Sequence, residues 1–344
     1  MRRSGLTGLL TLAVATLLAT GAARADTTLN YSLWIPWTHP VAVYVYIPWI
    51  EAVEKATAGR VKFNRLPKAV ASPPAHFDAI RNGQADVGFS VYGYSPKRFG
   101  AYLFGELPLI GDRAEPVSVA AWRTHERIAK VKDFHEGVKL LGLNSHGPGV
   151  LHHRTKNIDS IDDLKGSKIR VGGPIPKAIV EAWGGVAIAQ PAPKSYELLS
   201  TGVIDGITFP YESLPSFNIT KLVTHSTYFP GGLYTSTHYL IMNQSKWDAL
   251  PAADKAAIES VSNEAFARQA GKGWDTINDM GLAAAKANGN KITTAPPAMV
   301  AELKKLNAKF EAEYIKDANE AGIDGAGTVK FFREEIARQA GQAK

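Results

Sequence analysis

The fold is decided by one stretch, Ile161-Asp162-Asp163-Leu164-Lys165-Gly166-Ser167-Lys168-Ile169-Arg170-Val171, and by its continuation through Trp183-Gly184-Gly185 to Gly202-Val203-Ile204-Asp205-Gly206-Ile207-Thr208-Phe209-Pro210. Residues 162–164 predict a short helical turn that Gly166 ends, and residues 168–171 predict a strand. Gly172-Gly173-Pro174 stops the ladder straight after Arg170, where bare backbone lets a ligand come close. Residues 177–183 and 196–201 read as helices and 203–208 as a second strand. Strand–helix–strand alternation implies a parallel sheet. Ligands of open α/β sheets sit off the carboxyl ends of the strands, and that edge holds both Arg170 and Phe209.

This stretch resembles the substrate-binding proteins of tripartite ATP-independent periplasmic (TRAP) transporters, the DctP family. Members read D-L-K-G-x-K-I-R-V, then G-A or G-G after a helix, then L-x-x-G-x-V-D-G-x-x-x-P. The matching segments are residues 163–171, Gly184-Gly185 and residues 199–210, with Ile204 in place of the valine. Weaker likeness runs from Leu29 to about Asp275. The resemblance implies an α/β, two-domain periplasmic-binding-protein fold, with mixed, mostly parallel sheets flanked by helices and a long helix spanning both domains. It implies that Arg170 binds the substrate carboxylate, a role suited to a planar guanidinium fork. Without the motif, Arg170 reads as a surface strand arginine. The resemblance also implies membrane partners, one small and one large permease subunit, and a ligand that is an organic anion.

Composition narrows the setting. Residues 1–25 read as a secretory signal, with Arg2 and Arg3 before an apolar run over 6–18 and Ala23-Arg24-Ala25 as the cleavage site. The run is shorter than the ~20 residues a membrane span needs, so the mature chain is expected soluble in the periplasm, as a monomer. The sequence has no cysteine, which excludes a lipid-modified N-terminal cysteine, disulfides, thiolate metal sites and a cysteine nucleophile. Net charge is +7, and without Arg2, Arg3 and Arg24 the balance is 36 basic against 32 acidic residues. No basic run exceeds a pair, so no nucleic-acid surface is indicated. A weakly positive body mildly favours anions, or serves solubility alone.

Along the chain, residues 29–35 alternate as a first strand, and the aromatic loop Trp34-Ile35-Pro36-Trp37-Thr38-His39-Pro40 falls at the ligand edge. Residues 41–58 predict a helix bent near Pro48 and stopped by Gly59. Residues 60–66 and 84–89 read as strands around a helix over 73–82, and Ser90-Val91-Tyr92-Gly93-Tyr94 follows the third strand. A helix over 115–130 and a buried strand over 139–144 precede Ser145-His146-Gly147-Pro148-Gly149, read as the first crossing between domains. The return is expected near 234–238, before an apolar strand over 239–243. Domain I is then 26–147 plus 236–275, and domain II is 148–235 plus 276–344. Residues 252–288 lack proline; as one helix of ~37 residues they would span ~55 Å, matching the family's long helix. Two helices broken at Gly271 and Gly273 are the alternative, each glycine costing roughly 1 kcal/mol against alanine. Residues 299–318 and 330–340 read as outer amphipathic helices.

The candidate site comprises Arg170, Phe209, Tyr211 and Glu212 from domain II, with Trp34, Trp37, His39 and Tyr92 from domain I. Tyr94 lies near the same edge. Glu212 takes a ligand hydroxyl or caps its loop. Two departures from the family matter. Phe209 stands where many members carry an asparagine that supports the carboxylate. Val150 stands where many carry a second arginine, and the nearest arginine, Arg154, is off the spacing. A monocarboxylate with an apolar or aromatic body is therefore favoured over a C4-dicarboxylate. Adjacent His152 and His153 would face opposite sides of a strand and make a poor metal pair. No cofactor or metal is called for. Enzyme motifs fail: His125-Glu126 is followed by Ala129 where a metalloprotease needs histidine, and Ser90 lacks the last glycine of a nucleophile elbow. An exported hydrolase and a sensor's ligand receptor remain rival classes.

Overall fold

Two separate sheets carry the computed structural model, which describes residues 26–342; the expected export signal lies outside the described residues. The strands are β1 (Thr27–Ser32), β2 (Val61–Arg65), β3 (Val87–Val91), β4 (Val138–Ser145), β5 (Val150–His153), β6 (Lys168–Val171), β7 (Val186–Ala189), β8 (Gly206–Phe209), β9 (His225–Tyr228), β10 (Thr237–Asn243) and β11 (Lys291–Thr294). The first sheet has the order β2-β1-β3-β10-β4 and the second β11-β9-β5-β8-β6-β7.

The mixture of directions follows from the crossings. Strands β3, β4, β8 and β9 run toward the cleft between the sheets. The chain leaves β4 at Ser145 and enters the second sheet as β5 at Val150, so β5 starts at the cleft and runs antiparallel to β8 and β9. It returns over residues 229–236 and enters the first sheet as β10, antiparallel to β3 and β4 for the same reason. The remaining pairs, β1 with β2 and β3, β6 with β7 and β8, and β9 with β11, are parallel. Helices cover both faces, and β3 and β10 are buried along their whole length, as central strands of a doubly covered sheet must be.

The third crossing is helical, and it differs from the single long helix expected. Residues 252–288 form two helices, Ala252–Val261 and Asn263–Ala287. The break is not at the glycines. Ser262 is extended and Asn263 takes φ +59°, a left-handed conformation that asparagine tolerates better than most residues. Trp49 Nε1 donates to Ser262 Oγ at 3.0 Å and anchors the break on the first lobe. The 25-residue second helix still reaches both lobes.

Its glycines are points of close approach rather than bends. A Cβ on Gly271 would lie 2.5 Å from Glu115 Cα, and one on Gly273 would lie 2.2 Å from the Tyr44 carbonyl oxygen. One on Gly281 would lie 2.3 Å from the Tyr211 carbonyl oxygen in the second lobe. The Tyr44 carbonyl is exposed to this contact by Pro48, which has no N–H to return to it. Gln269 Nε2 donates to that oxygen at 3.1 Å instead. Here the expected bent helix is a π-helical turn, Ala42–Tyr46, leading into an α-helix, Ile47–Ala56.

The last two helices pack on the outside, and the first of them ties the lobes. Pro297–Glu320 packs on both Gly100–Glu106 and Pro174–Ala182, and Tyr314 Oη donates to the Ala101 carbonyl at 2.9 Å. Gly325–Gln342 lies on Ala114–Ile128 of the first lobe, where Arg123 pairs with Glu264 at 2.8 Å and Glu335 at 2.6 Å.

Substituting Gly273→Ala should destabilise the protein by about 1–3 kcal/mol through overpacking, outweighing the ~1 kcal/mol that alanine adds to a helix interior. Thermal and denaturant unfolding check this. A variant as stable as the parent would mean that the contact with Tyr44 is not tight.

Candidate functional site

Arg170 is carried to the cleft by β6, one residue before the strand ends at Val171. Its side chain is folded back under Gly172, where a Cβ would come within 3.0 Å of Nη2. Arg170 is 1 % exposed. Nε donates to the Gln190 carbonyl at 2.8 Å, and Nη1 makes a long contact of 3.5 Å with the Thr208 carbonyl. Nη2 has no hydrogen-bond partner, and no carboxylate of the described residues forms an ion pair with this guanidinium. The Phe209 ring lies beneath it, 4.3 Å from Cζ to centroid. A guanidinium does not lose its proton, and a buried charge without a counter-charge costs several kcal/mol. The arrangement leaves one donor edge of the guanidinium free.

Around it the two lobes enclose about 530 Å³ of space between atoms, the mouth included. Trp34, His39, Phe89 and Tyr94 line it from the first lobe, and Arg170, Phe209, Glu212 and Phe217 from the second. The crossing segments add His146 and Tyr234, β10 adds His238, and the helix Asn263–Ala287 adds Trp274. The walls are fixed from behind. Trp34 stacks on Phe89 at 4.7 Å and donates to the Phe89 carbonyl at 3.1 Å. Trp274 Nε1 donates to Asn144 Oδ1 at 2.7 Å, and Tyr234 Oη to the Thr208 carbonyl at 3.0 Å. Phe209 and Phe217 stack at 5.5 Å, nearly parallel. Across the cleft, Ala192 N–H donates to Tyr94 Oη at 3.0 Å, joining the lobes at the cavity rim.

Burial sets the charge of the lining. It lowers His39 to a pKa of about 4. His146 is also lowered to about 4, by burial first and then by the nearby Arg170 charge, against an opposing bond to the Gly147 carbonyl. Burial and then His146 hold His238 at about 3. All three imidazoles are neutral at pH 7. Val41 N–H donates to His39 Nδ1 at 3.2 Å, so the His39 proton is assigned to Nε2, which has no partner. Burial raises Glu212 to about 7, opposed by the nearby hydroxyls of Ser213 and Ser216. Its Oε1 accepts from Ser213 Oγ while Oε2 is unpartnered. Arg170 is thus the one permanent cation in the lining.

Five of the residues singled out from sequence meet at this cavity: Arg170, Phe209, Glu212, Trp34 and His39. Three do not. Tyr92 opens a 3₁₀ turn, Tyr92–Tyr94, and points into the first-lobe core, stacked on Tyr102 at 4.4 Å with its hydroxyl on His135 Nε2. Two residues on, Tyr94 faces the cavity instead. Trp37 turns onto Tyr31 and donates to the Leu66 carbonyl at 2.8 Å. Tyr211 lies behind Phe209, its ring against His152. Val150 pairs with Phe209 in the sheet register and is buried as core. Arg154 follows His153, which pairs with Gly206 at the far end of β8, about 10 Å further from the cleft. Sequence reading missed Phe89, Phe217, Tyr234, His238 and Trp274 as lining. The first two lie on or next to elements it had placed at the edge, and Tyr234 and His238 bound the return crossing it had located. Among the described residues, no group of three or more His, Asp or Glu is arranged to hold a metal ion.

The profile of the family described as "Bacterial extracellular solute-binding protein, family 7" (DctP) matches residues 36–317. The chain is 31% identical over 326 residues to the "Outer membrane transporter protein TsaT" of Comamonas testosteroni, covering 94% of this chain and 96% of that one. It is 40% identical, with a TM-score of 0.87, to a TRAP periplasmic solute binding protein from Bordetella bronchiseptica with bound (R)-mandelate and (S)-mandelate, over 91% of this chain and 100% of that one. A TRAP solute binding protein from Rhodoferax ferrireducens T118, in complex with copurified benzoate, is 29% identical with a TM-score of 0.86, over 93% of this chain and 100% of that one.

The buried histidines give a test by pH. His39, His125, His135, His146, His152, His153 and His238 are all lowered to about 3 or 4, by burial first. Their contribution to stability is full above the unfolded value near 6.5 and is lost as pH falls toward 4. Glu212 and Glu106 are raised by burial to about 7 and about 8. Their contribution is full below about 4.5 and is lost as pH rises through 7 and 8. Melting temperatures from pH 4 to 9 should peak near pH 6–7 and fall more steeply on the acid side. A melting temperature that kept rising from pH 6.5 to 9 would contradict the protonated, buried carboxyls.

Proposed function

The chain belongs to bacterial extracellular solute-binding protein family 7, and on that premise we propose that it captures an aromatic monocarboxylate through Arg170 and delivers it to the membrane subunits of a TRAP transporter. It is a solute-binding protein and not an enzyme, so its work is to close on a ligand and release it unchanged. The observation that carries the ligand reading is the free Nη2 edge of Arg170, buried beside the face of Phe209. That edge suits one carboxylate oxygen, in a charge-assisted bond worth roughly 1.5–3 kcal/mol.

The rest of the lining argues for the body of the ligand. An aromatic ring between Trp34, Phe209 and Phe217 gains about 0.5–1.5 kcal/mol beyond its burial. A second carboxylate would meet neutral imidazoles, aromatic faces and Glu212, and desolvating it there costs several kcal/mol. Two relatives of like structure hold benzoate and mandelate, each one carboxylate on an aromatic body. Ligand contacts from both lobes favour the closed arrangement, in which Tyr94 meets Ala192. The working form is a monomer in the periplasm, and one small and one large membrane subunit receive the ligand.

Calorimetry of the purified protein with benzoate, mandelate, succinate and malate tests this. The aromatic acids should bind and the C4-dicarboxylates should bind more weakly. Arg170→Ala should weaken aromatic-acid binding by about tenfold to 150-fold, and Arg170→Lys should recover little because a point ammonium cannot hold the Gln190 carbonyl and reach the carboxylate together. Succinate binding tighter than every monocarboxylate, or unchanged affinity in a folded Arg170→Ala variant, would reject the reading.

A further inference from the structure

The cavity has a second polar pole that the carboxylate does not use. Arg170 and Phe217 both stack on Phe209, at 4.3 and 5.5 Å, and His39 packs on Phe217 at 4.9 Å. The aromatic wall therefore runs from the guanidinium through two phenyl rings to an imidazole. Glu212 opens the short helix Ser213–Ser216 that leads into Phe217, and it lines the same cavity while only 3 % exposed. Its Oε2 and the His39 Nε2 are both buried without partners. The first is an acceptor in either protonation state. The second is a donor, because Val41 N–H occupies Nδ1.

We propose that Glu212 and His39 form a hydroxyl-recognition pole at the end of the aromatic wall away from Arg170, so that the site selects hydroxylated aromatic monocarboxylates over unsubstituted ones. The inference rests on the aromatic-acid reading and names the substituent that the same cavity takes. A hydroxyl both donates and accepts, so it can pair with the acceptor Oε2 or with the donor Nε2–H, whereas a ring C–H can pair with neither. Sites built to hydrogen-bond a substrate hydroxyl discriminate strongly against the analogue that lacks it. A carboxylate in that place would instead meet the acceptor Oε2, so the same pole disfavours aromatic dicarboxylates. Burial, which raises the Glu212 pKa to about 7, keeps this repulsion partial at neutral pH.

The test measures dissociation constants for benzoate and its 2-, 3- and 4-hydroxy isomers by calorimetry, in the parent protein and in Glu212→Leu, Glu212→Gln and His39→Phe. The parent should bind one hydroxy isomer about threefold to tenfold more tightly than benzoate. Glu212→Leu should bring that ratio close to one. Glu212→Gln, which keeps the shape and one acceptor, should retain part of it and guards against a packing defect in the leucine variant. His39→Phe should reduce the ratio while keeping an aromatic ring against Phe217. Equal affinity of the parent for benzoate and all three isomers, or a preference that survives both Glu212→Leu and His39→Phe, overturns the proposal. Hydroxybenzoates that bind where benzoate does not would support it in its strongest form. If no benzoate of either kind binds, the aromatic-acid reading and this inference fail together, an outcome distinct from binding without preference.

Discussion

A permanently charged guanidinium, buried at a strand end without a carboxylate beside it, is the constraint on which the rest of this structure depends. Arg170 is held by carbonyls, from Gln190 and at longer range Thr208, and by the face of Phe209. Carbonyl dipoles and a ring quadrupole stabilise a cation without neutralising it. A carboxylate in their place would complete the pair inside the protein and leave nothing to recruit an anion. The nearby acids respect this. Glu212 lines the same cavity but is bonded by Ser213 and raised toward neutrality by burial, and Glu106 packs against Gly93 and Gly173 with its pKa raised to about 8. The histidines are likewise neutral, so they neither compete with the guanidinium for an anion nor repel it.

Holding a cation in that state needs a scaffold whose two halves meet at its position. The chain crosses between sheets three times, and each crossing contributes to the cavity or braces it. The first supplies His146, the second Tyr234 with His238 just beyond it on β10, and the third Trp274. Close backbone contact keeps the third crossing in place: the helix Asn263–Ala287 meets the first lobe at Gly271 and Gly273 and the second at Gly281, directly behind Tyr211 and Glu212. A helix that touches both lobes at glycine can slide or rock only by losing contacts at van der Waals distance. That couples the Glu212 part of the cavity to the same element that carries Trp274 into its lining.

Much of this was legible locally. The strand Lys168–Val171 has the bounds its sequence suggests, and the Gly172-Gly173-Pro174 break puts Arg170 at the edge where Phe209 also ends a strand. The crossing points were readable as glycine-rich or apolar transitions. What was not legible came from distant contacts and from short elements. Strands β5, β7, β9 and β11 are four residues each, too short for alternation to declare itself, and β5 buries two histidines. The break at Ser262 depends on Trp49, 213 residues away in the chain. Tyr92 and Tyr94 look equivalent in sequence, and only the 3₁₀ turn decides that one is core and the other lining. Gly271 and Gly273 resemble helix weaknesses until the neighbours they admit are known.

The charge of the lining also bears on what kind of selectivity this cavity can have. A site with two cations binds a dianion tightly but discriminates poorly among bodies that carry two carboxylates, since most of the free energy is electrostatic. With one cation, the charge term is the same for every monocarboxylate, and differences in affinity must come from the remainder of the ligand. That remainder meets Trp34, Phe89, Phe209 and Phe217, which reward any flat apolar body, and the unpartnered Oε2 and Nε2–H, which do not. Desolvated polar atoms penalise a ligand that leaves them unmatched more sharply than apolar surface rewards one that covers it. Arg170 and the aromatic walls therefore suit a class of ligands, and the polar pole proposed around Glu212 is a feature able to separate members within it.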